Sequence, residues 1–251
     1  MKRFLLIFSI VVVLLISFIW FRWPIVAGRK WGQQTIFLSI INSFHVQSQY
    51  AEPYFMLIDD DCGYGIFTIH DICERVGVKA TFAVVPAFLD SSKCDSLKKW
   101  QLEGYGIALH SYAHGRWKDW TYDEIKEDIE KSLFFLKQNG FSRVEQIKLV
   151  VTPSFYNTRA IRQAIREKGM KMVMGASIVN PDTLTFQWGR IFIKKDTDLD
   201  EIHRVLLRAK ETNGFVVLGT HSSIKEEFSS EKTETVLKMA KELLKNLHDS
   251  E

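Results

Sequence analysis

Residues 54–61 read YFMLIDDD. Five apolar residues of strand length run straight into Asp59, Asp60 and Asp61. The stretch 106–114, GIALHSYAH, repeats the plan: a short apolar run ends at His110, and His114 follows four residues later. Short, continuously apolar strands are those buried on both faces, as in a parallel sheet covered by helices.

Further strands are predicted at 80–85, 106–109, 148–152, 172–174, 190–193 and 215–218. Helices alternate with them. Ile66, Ile69, Cys73 and Val76 recur at helical spacing before Gly77. A short helix is predicted at 96–102. Thr121 and Glu124 have capping-box spacing ahead of a long amphipathic helix that closes at Asn139-Gly140. Asn157 can cap a helix running to Lys168, and helices at 199–209 and 231–247 complete the series. About seven strand–helix units predict a distorted β/α barrel, with an open doubly wound sheet as the alternative. No glycine-rich phosphate loop follows any strand, which argues against a nucleotide site.

Parallel strands of such folds bring their carboxyl ends to one face, where active sites are built. Asp59–Asp61, His110, Thr152-Pro153 and Thr220-His221-Ser222 each follow a predicted strand, so they converge there. Two imidazoles and one carboxylate leave open positions on a divalent cation, as catalysis requires. Zinc suits such ligands best; cobalt, nickel, manganese and iron also fit. A second carboxylate beside them can take a proton from water. The combination points to a metal-dependent hydrolase rather than a binding module.

The amino-terminal segment stands apart. After Met1-Lys2-Arg3, residues 4–21 (FLLIFSIVVVLLISFIWF) carry no charge, and Trp20, Arg22 and Trp23 close the run. At about 1.5 Å per residue it nearly spans a bilayer core of about 30 Å. One transmembrane helix is therefore predicted within 1–23, followed by a connector at 24–51 and a catalytic domain at 52–247. A secretory signal cleaved after Ala27 is the alternative. Either reading places the catalytic part outside the cytoplasm, at the cell membrane or secreted. The composition, 46% hydrophobic and 25% charged, is globular, and the net charge of +3 gives no reason to expect a nucleic-acid partner. Three cysteines and no C-x-x-C pair argue against a thiolate zinc site. A Cys73–Cys94 disulfide and buried free thiols are both compatible with the spacing.

These residues resemble the polysaccharide deacetylases, which remove acetyl groups from N-acetylated glycans such as chitin and peptidoglycan. The family's Thr-Phe-Asp-Asp-Gly is similar to Leu57-Ile58-Asp59-Asp60-Asp61, aligned by spacing from Lys79-Ala80-Thr81-Phe82. Its His-Ser/Thr-x-x-His is matched in full by His110–His114. Its late Leu-x-His resembles Leu218-Gly-Thr-His221, one residue longer. The likeness implies Asp59 as general base, Asp60, His110 and His114 as metal ligands, and His221 as the acid that protonates the leaving amine. It implies a glycan substrate, with some of Tyr112, Trp117, Trp120, Phe155, Tyr156 and Trp188 lining the cleft. Another amide or O-acyl ester as substrate, and a catalytically silent glycan-binding relative, are the competing readings.

Two departures stand out. The family's Arg-x-Pro-Tyr/Phe appears as Val151-Thr-Pro153-Ser-Phe155, which keeps the proline and aromatic but lacks the arginine. Arg190, after Trp188-Gly189, is a candidate replacement or a surface arginine. Asp61-Cys62 replaces the family's glycine. Asp61 is read first as a cap for the next helix, with an added metal ligand or a substrate-hydroxyl contact as alternatives.

Overall fold

The computed structural model describes residues 52–175, 179–180 and 186–250. The helix and connector expected for residues 1–51 lie outside them. Among the described residues no helix is long and apolar enough to cross a membrane.

The strands are β1 (Tyr54–Asp61), β2 (Ala80–Val84), β3 (Gly106–Leu109), β4 (Leu149–Val151), β5 (Lys171–Gly175), β6 (Val179–Asn180), β7 (Gln187–Phe192), β8 (Phe215–Thr220) and β9 (Lys245–Asn246). Seven of them form a parallel ring, β1-β2-β3-β4-β5-β7-β8, closed by the β8–β1 pairing. The barrel predicted from the alternation is therefore present and closed. The two short strands β6 and β9, which periodicity did not reveal, flank the ring: β6 pairs antiparallel with β8, and β9 runs beside the start of β1.

Six helices cover the ring: α1 (Ile66–Val76), α2 (Ser91–Leu102), α3 (Tyr122–Gln138), α4 (Arg159–Glu167), α5 (Leu199–Thr212) and α6 (Ser230–Leu243). The capping box forms at α3: Thr121 Oγ1 accepts from Glu124 N–H, and Thr121 N–H donates to Glu124 Oε2. Three helix ends differ from expectation. Asp90 caps α2 through Lys93 N–H and starts it before 96. Thr158, not Asn157, caps α4. The last helix stops at Leu243, because the chain turns extended at Leu244 to pair with β1.

Strand side chains alternate between faces. Met56, Ile58, Ala83, Ala108, Val151, Val173, Trp188, Phe215 and Val217 pack together as the barrel interior. Phe55, Leu57, Phe82, Val84, Val150, Val216 and Leu218 face the helices. Each fully buried side chain of this kind contributes about 1.5–3 kcal/mol. Leu247 packs against the interior cluster from beyond β9. Cys62, Cys73 and Cys94 are buried free thiols, so no disulfide joins 73 to 94.

Candidate active site

The alternation that sorts the core also sorts the three acids. Asp59 follows Phe55 and Leu57 toward the helix layer. There it accepts hydrogen bonds from Thr220 Oγ1 (2.7 Å), Ser222 N–H (3.0 Å) and Ser222 Oγ (2.6 Å). Burial pushes its carboxyl up to about 7 against the pull of those bonds. Asp60 follows Met56 and Ile58 into the barrel and is fully buried. Asp61 sits at the mouth with φ +71°, and Cys62 follows at +53°. This left-handed turn carries the Asp61 carboxylate to the imidazoles rather than back along the strand.

His110 extends the inward face of β3. Its Nδ1 lies 2.8 Å from the Val151 carbonyl. A carbonyl only accepts, so Nδ1 carries the proton and Nε2 of the neutral ring presents its lone pair. That Nε2 is 3.3 Å from Asp61 Oδ1, and His114 Nε2 is 3.6 Å from the same oxygen. Burial disfavours the His110 cation, but the Asp60 and Asp61 charges outweigh it and raise its pKa. Burial and the neighbouring His110 lower that of His114.

The loop that carries His114 is fixed from α3. Asp128 takes the Tyr112 N–H at 2.7 Å and the Ser111 hydroxyl at 3.0 Å. Ser111 Oγ in turn accepts from Gly115 N–H at 3.0 Å. Ser111 and His114 both have left-handed backbones, φ +65° and +54°, which these bonds hold in place. Asp128 was not foreseen, although it had a signal. It lies on the buried stripe Ile125, Ile129, Ser132, Leu136, where an acid needs partners.

Asp60 faces a different set of groups. Arg190, from the inward face of β7, donates Nη1–H to Oδ1 and Nη2–H to Oδ2, both at 2.7 Å, and both side chains are fully buried. His221 Nε2 lies 3.2 Å from Asp60 Oδ2. Burial opposes ionisation of Asp60, but Arg190, His110 and His221 outweigh it and hold the carboxyl well below its usual range. Asp61 is also lowered: burial is outweighed by His110 and the Ser223 hydroxyl, which donates at 2.9 Å.

Phe192 organises the far wall. Its ring lies parallel to that of His221, with centroids 4.8 Å apart and planes at 11°, and the Arg190 guanidinium sits 4.4 Å from its centroid. Phe155 meets the edge of Phe192 at 5.3 Å. It follows the buried Pro153, which opens a tight turn after β4.

The structure therefore gathers Asp60, Asp61, His110, His114, Arg190, His221, Pro153 and Phe155 at one end of the barrel. It does not gather two other candidates. Asp59, expected as the base, points away from the interior. Trp188 is buried on Phe215 (centroids 5.0 Å), level with the start of β1 at the opposite end. The carboxylate facing both imidazoles is Asp61, where the sequence alignment put Asp60. Nor does Asp61 cap a helix: α1 begins at Gly65 without a side-chain cap.

Asp61, His110 and His114 offer ligand atoms that all lie within 4.8 Å of one another, close enough to share one metal ion. Two observations fit a cation there. Asp61 Oδ1 and His110 Nε2 are buried without completing a hydrogen bond. Among the described residues Arg190 is the one buried guanidinium, and it pairs with Asp60, not Asp61.

Residues 52–173 match the family model described as polysaccharide deacetylase. No curated protein matches the chain. Solved structures of family 4 carbohydrate esterases share its fold. One is PdaA of Bacillus subtilis, with TM-score 0.57, 14% identity, and coverage of 85% of this chain and 87% of that one. Another is an acetyl xylan esterase from Clostridium thermocellum in complex with a cobalt ion, with TM-score 0.55, 15% identity, and coverage of 78% and 89%. A family 4 pseudoenzyme from Bacillus anthracis aligns with TM-score 0.53, 17% identity, and coverage of 79% and 65%.

Proposed function

Because this chain belongs, through residues 52–173, to the polysaccharide deacetylase family, we propose that it is a metal-dependent hydrolase that removes acetyl groups from an amino-sugar glycan. The observation that carries this reading is the pairing of an Asp61–His110–His114 cluster with a second, ionised carboxylate, Asp60, one residue away in the interior. Asp61, His110 and His114 would hold the ion, with zinc the best match to one carboxylate and two imidazoles. Such an ion supplies Lewis acidity toward the acetyl carbonyl and acidifies water.

The chain's own residues carry the protons. Arg190 fixes the plane of Asp60 and keeps it charged, so it is ready to accept a proton from the attacking water. His221 Nε2 is one hydrogen bond from Asp60 Oδ2. A proton gained at Asp60 can therefore pass to the imidazole and on to the departing amine nitrogen, which leaves only when protonated. Phe192 holds that imidazole in plane. Asp59 takes no part: its three donors anchor the start of the β8–α6 loop that bears His221.

The apolar run at residues 4–21 supports a location outside the cytoplasm, where such glycans are found, with the domain anchored to the membrane. The test is acetate release by the full-length protein from N-acetylglucosamine oligomers, with and without chelator. Asp60→Asn should abolish release and keep the metal, whereas Asp61→Asn should lose the metal. Release from O-acetylated xylan alone would move the assignment to ester hydrolysis. No release from any glycan by metal-loaded protein would overturn it in favour of a silent relative.

A further inference from the structure

The ladder between β1 and β8 ends at the pair Asp59–Thr220. His221 is the next residue, so strand pairing stops just short of the imidazole. Nor is the ring anchored at its second nitrogen: among the described residues His221 Nδ1 is buried without a hydrogen-bond partner. An imidazole that moves protons is ordinarily oriented by an acceptor at that position. Here Nε2 lies 3.2 Å from Asp60 Oδ2, and the ring face rests on Phe192. Stacking resists tilting of the ring but lets it slide in its own plane.

The hold comes instead from the residues on either side. Alternation along the extended chain turns Thr220 and Ser222 toward the helix layer and His221, between them, toward the interior. Asp59 Oδ1 accepts from both Thr220 Oγ1 (2.7 Å) and Ser222 N–H (3.0 Å), and its Oδ2 accepts from Ser222 Oγ (2.6 Å). Both partners are buried, where a donor without an acceptor is costly. One carboxylate thus grips the chain immediately before and immediately after His221, and continues by side chain the ladder that the backbone has ended. Gly65 gives the loop room to lie so close, since a Cβ there would meet Ser222 Cβ at 2.3 Å. The clasp is particular to this chain. With Asp60 and Asp61 in the places of the two acids of the Thr-Phe-Asp-Asp-Gly pattern, Asp59 stands at the phenylalanine, a side chain that accepts none of these bonds.

We infer that Asp59 is a positioning residue: through Thr220 and Ser222 it fixes His221 opposite Asp60, where the imidazole meets the departing amine. Asp59 itself exchanges no proton with the substrate. The inference rests on the hydrolase reading for the task of His221, and adds that the first of the three acids governs one half of the reaction, departure of the leaving group. Loosening the clasp should therefore slow only substrates whose leaving group must be protonated. An amide needs that proton, whereas the 4-nitrophenolate of an activated ester departs as the anion.

The test compares zinc-loaded full-length wild type, Asp59→Leu, Asp59→Asn, Thr220→Val and Ser222→Ala on hexameric N-acetylglucosamine and on 4-nitrophenyl acetate. Hydrogen exchange of the segment 219–229 is followed alongside. Asp59→Leu removes every acceptor, so kcat on the hexamer should fall about a hundredfold, with KM and ester hydrolysis within about threefold of wild type, and the segment should exchange about tenfold faster. Each hydroxyl variant removes one bond and should lose about three- to tenfold on the hexamer alone; these two carry the comparison if Asp59→Leu does not fold. Asparagine keeps the Oδ1 acceptor and can donate to Ser222 Oγ, so Asp59→Asn should rescue both kcat and protection to within about threefold. Equal losses on amide and ester overturn the inference, as does unaltered exchange in Asp59→Leu. So does an Asp59→Asn as impaired as Asp59→Leu, which would make charge rather than bonding the operative feature. A wild type that cleaves neither compound sinks the hydrolase reading alone, and the exchange comparison then decides the clasp by itself.

Discussion

Replacing Arg190 by methionine is the most direct probe of the interior. It removes both 2.7 Å bonds to Asp60 while keeping much of the side-chain volume. Asp60 is left fully buried with only the histidines for company. Breaking a buried ion pair by deleting one partner costs about 3–5 kcal/mol. In a domain of this size that is a fall in Tm of about 6–20 °C. The pH dependence has a definite sign. In wild type the Asp60 carboxyl titrates below its ordinary value of 3.8, so its contribution is complete above that pH and is lost only below it. Without the guanidinium, burial pushes the carboxyl upward. The deficit relative to wild type should therefore be largest at pH 8 and shrink toward pH 4, where Asp60 becomes protonated. The ascending limb of kcat/KM should move to higher pH for the same reason. Thermal melts across pH, with Arg190→Met/Asp60→Asn as the second arm, measure this. The double variant should recover part of the stability, because the buried charge is gone. A loss under about 1 kcal/mol, or strictly additive effects, would refute the claim that Arg190 governs Asp60.

Three further outcomes follow from the same geometry. Zinc at about 100 times its Kd should stabilise the protein by about 2.7 kcal/mol. Chelator should reverse the resulting Tm shift, Asp61→Asn and His114→Ala should abolish it, and Asp59→Asn should retain it. Gly219→Ala places a methyl 3.2 Å from both Arg190 Cδ and Phe192 Cε1. It should lower kcat at least tenfold while costing stability only about 1–3 kcal/mol, read by kinetics and urea melts. Asp128→Ala frees the loop carrying His114 and should weaken zinc affinity about tenfold or more, measured by competition with a chromophoric chelator.

The barrel was legible because each strand carries its own apolar run and each helix its own period. The site was legible as a place but not in its register. Both faces of β1 are apolar, Phe55 and Leu57 on one side and Met56 and Ile58 on the other. Hydrophobic alternation therefore cannot say which of Asp59 and Asp60 points inward, and a one-residue slip exchanges their surroundings completely. Spacing from Thr81-Phe82 selects Asp59 and Asp60, whereas the left-handed turn at Asp61 and Cys62 carries the last acid to the imidazoles in a way that counting residues does not register. Trp188 was misplaced for a related reason. It shares an inward face with Arg190 but lies two residues nearer the other end of β7, among the apolar residues of the interior.

The arginine missing after β4 shows what chain-order reading overlooks. Val151 occupies the position two residues before Pro153, where the family pattern places arginine, and its side chain points into the barrel. Arg190 reaches the same layer from β7, and Gly219 on β8 supplies the room its Cδ needs. If the proposed mechanism requires a guanidinium opposite Asp60, a closed ring lets more than one strand supply it. Moving the group back tests this. Arg190→Val removes the partner and should depress kcat at least a hundredfold. Adding Val151→Arg conserves composition and nearly conserves volume. The His110 contact to residue 151 uses the backbone carbonyl, so it survives the change. The double variant should recover at least tenfold in kcat over Arg190→Val alone and return the ascending pH limb toward the wild-type position. A folded double variant with no recovery would mean that the guanidinium must approach from β7, and that the two positions are not interchangeable.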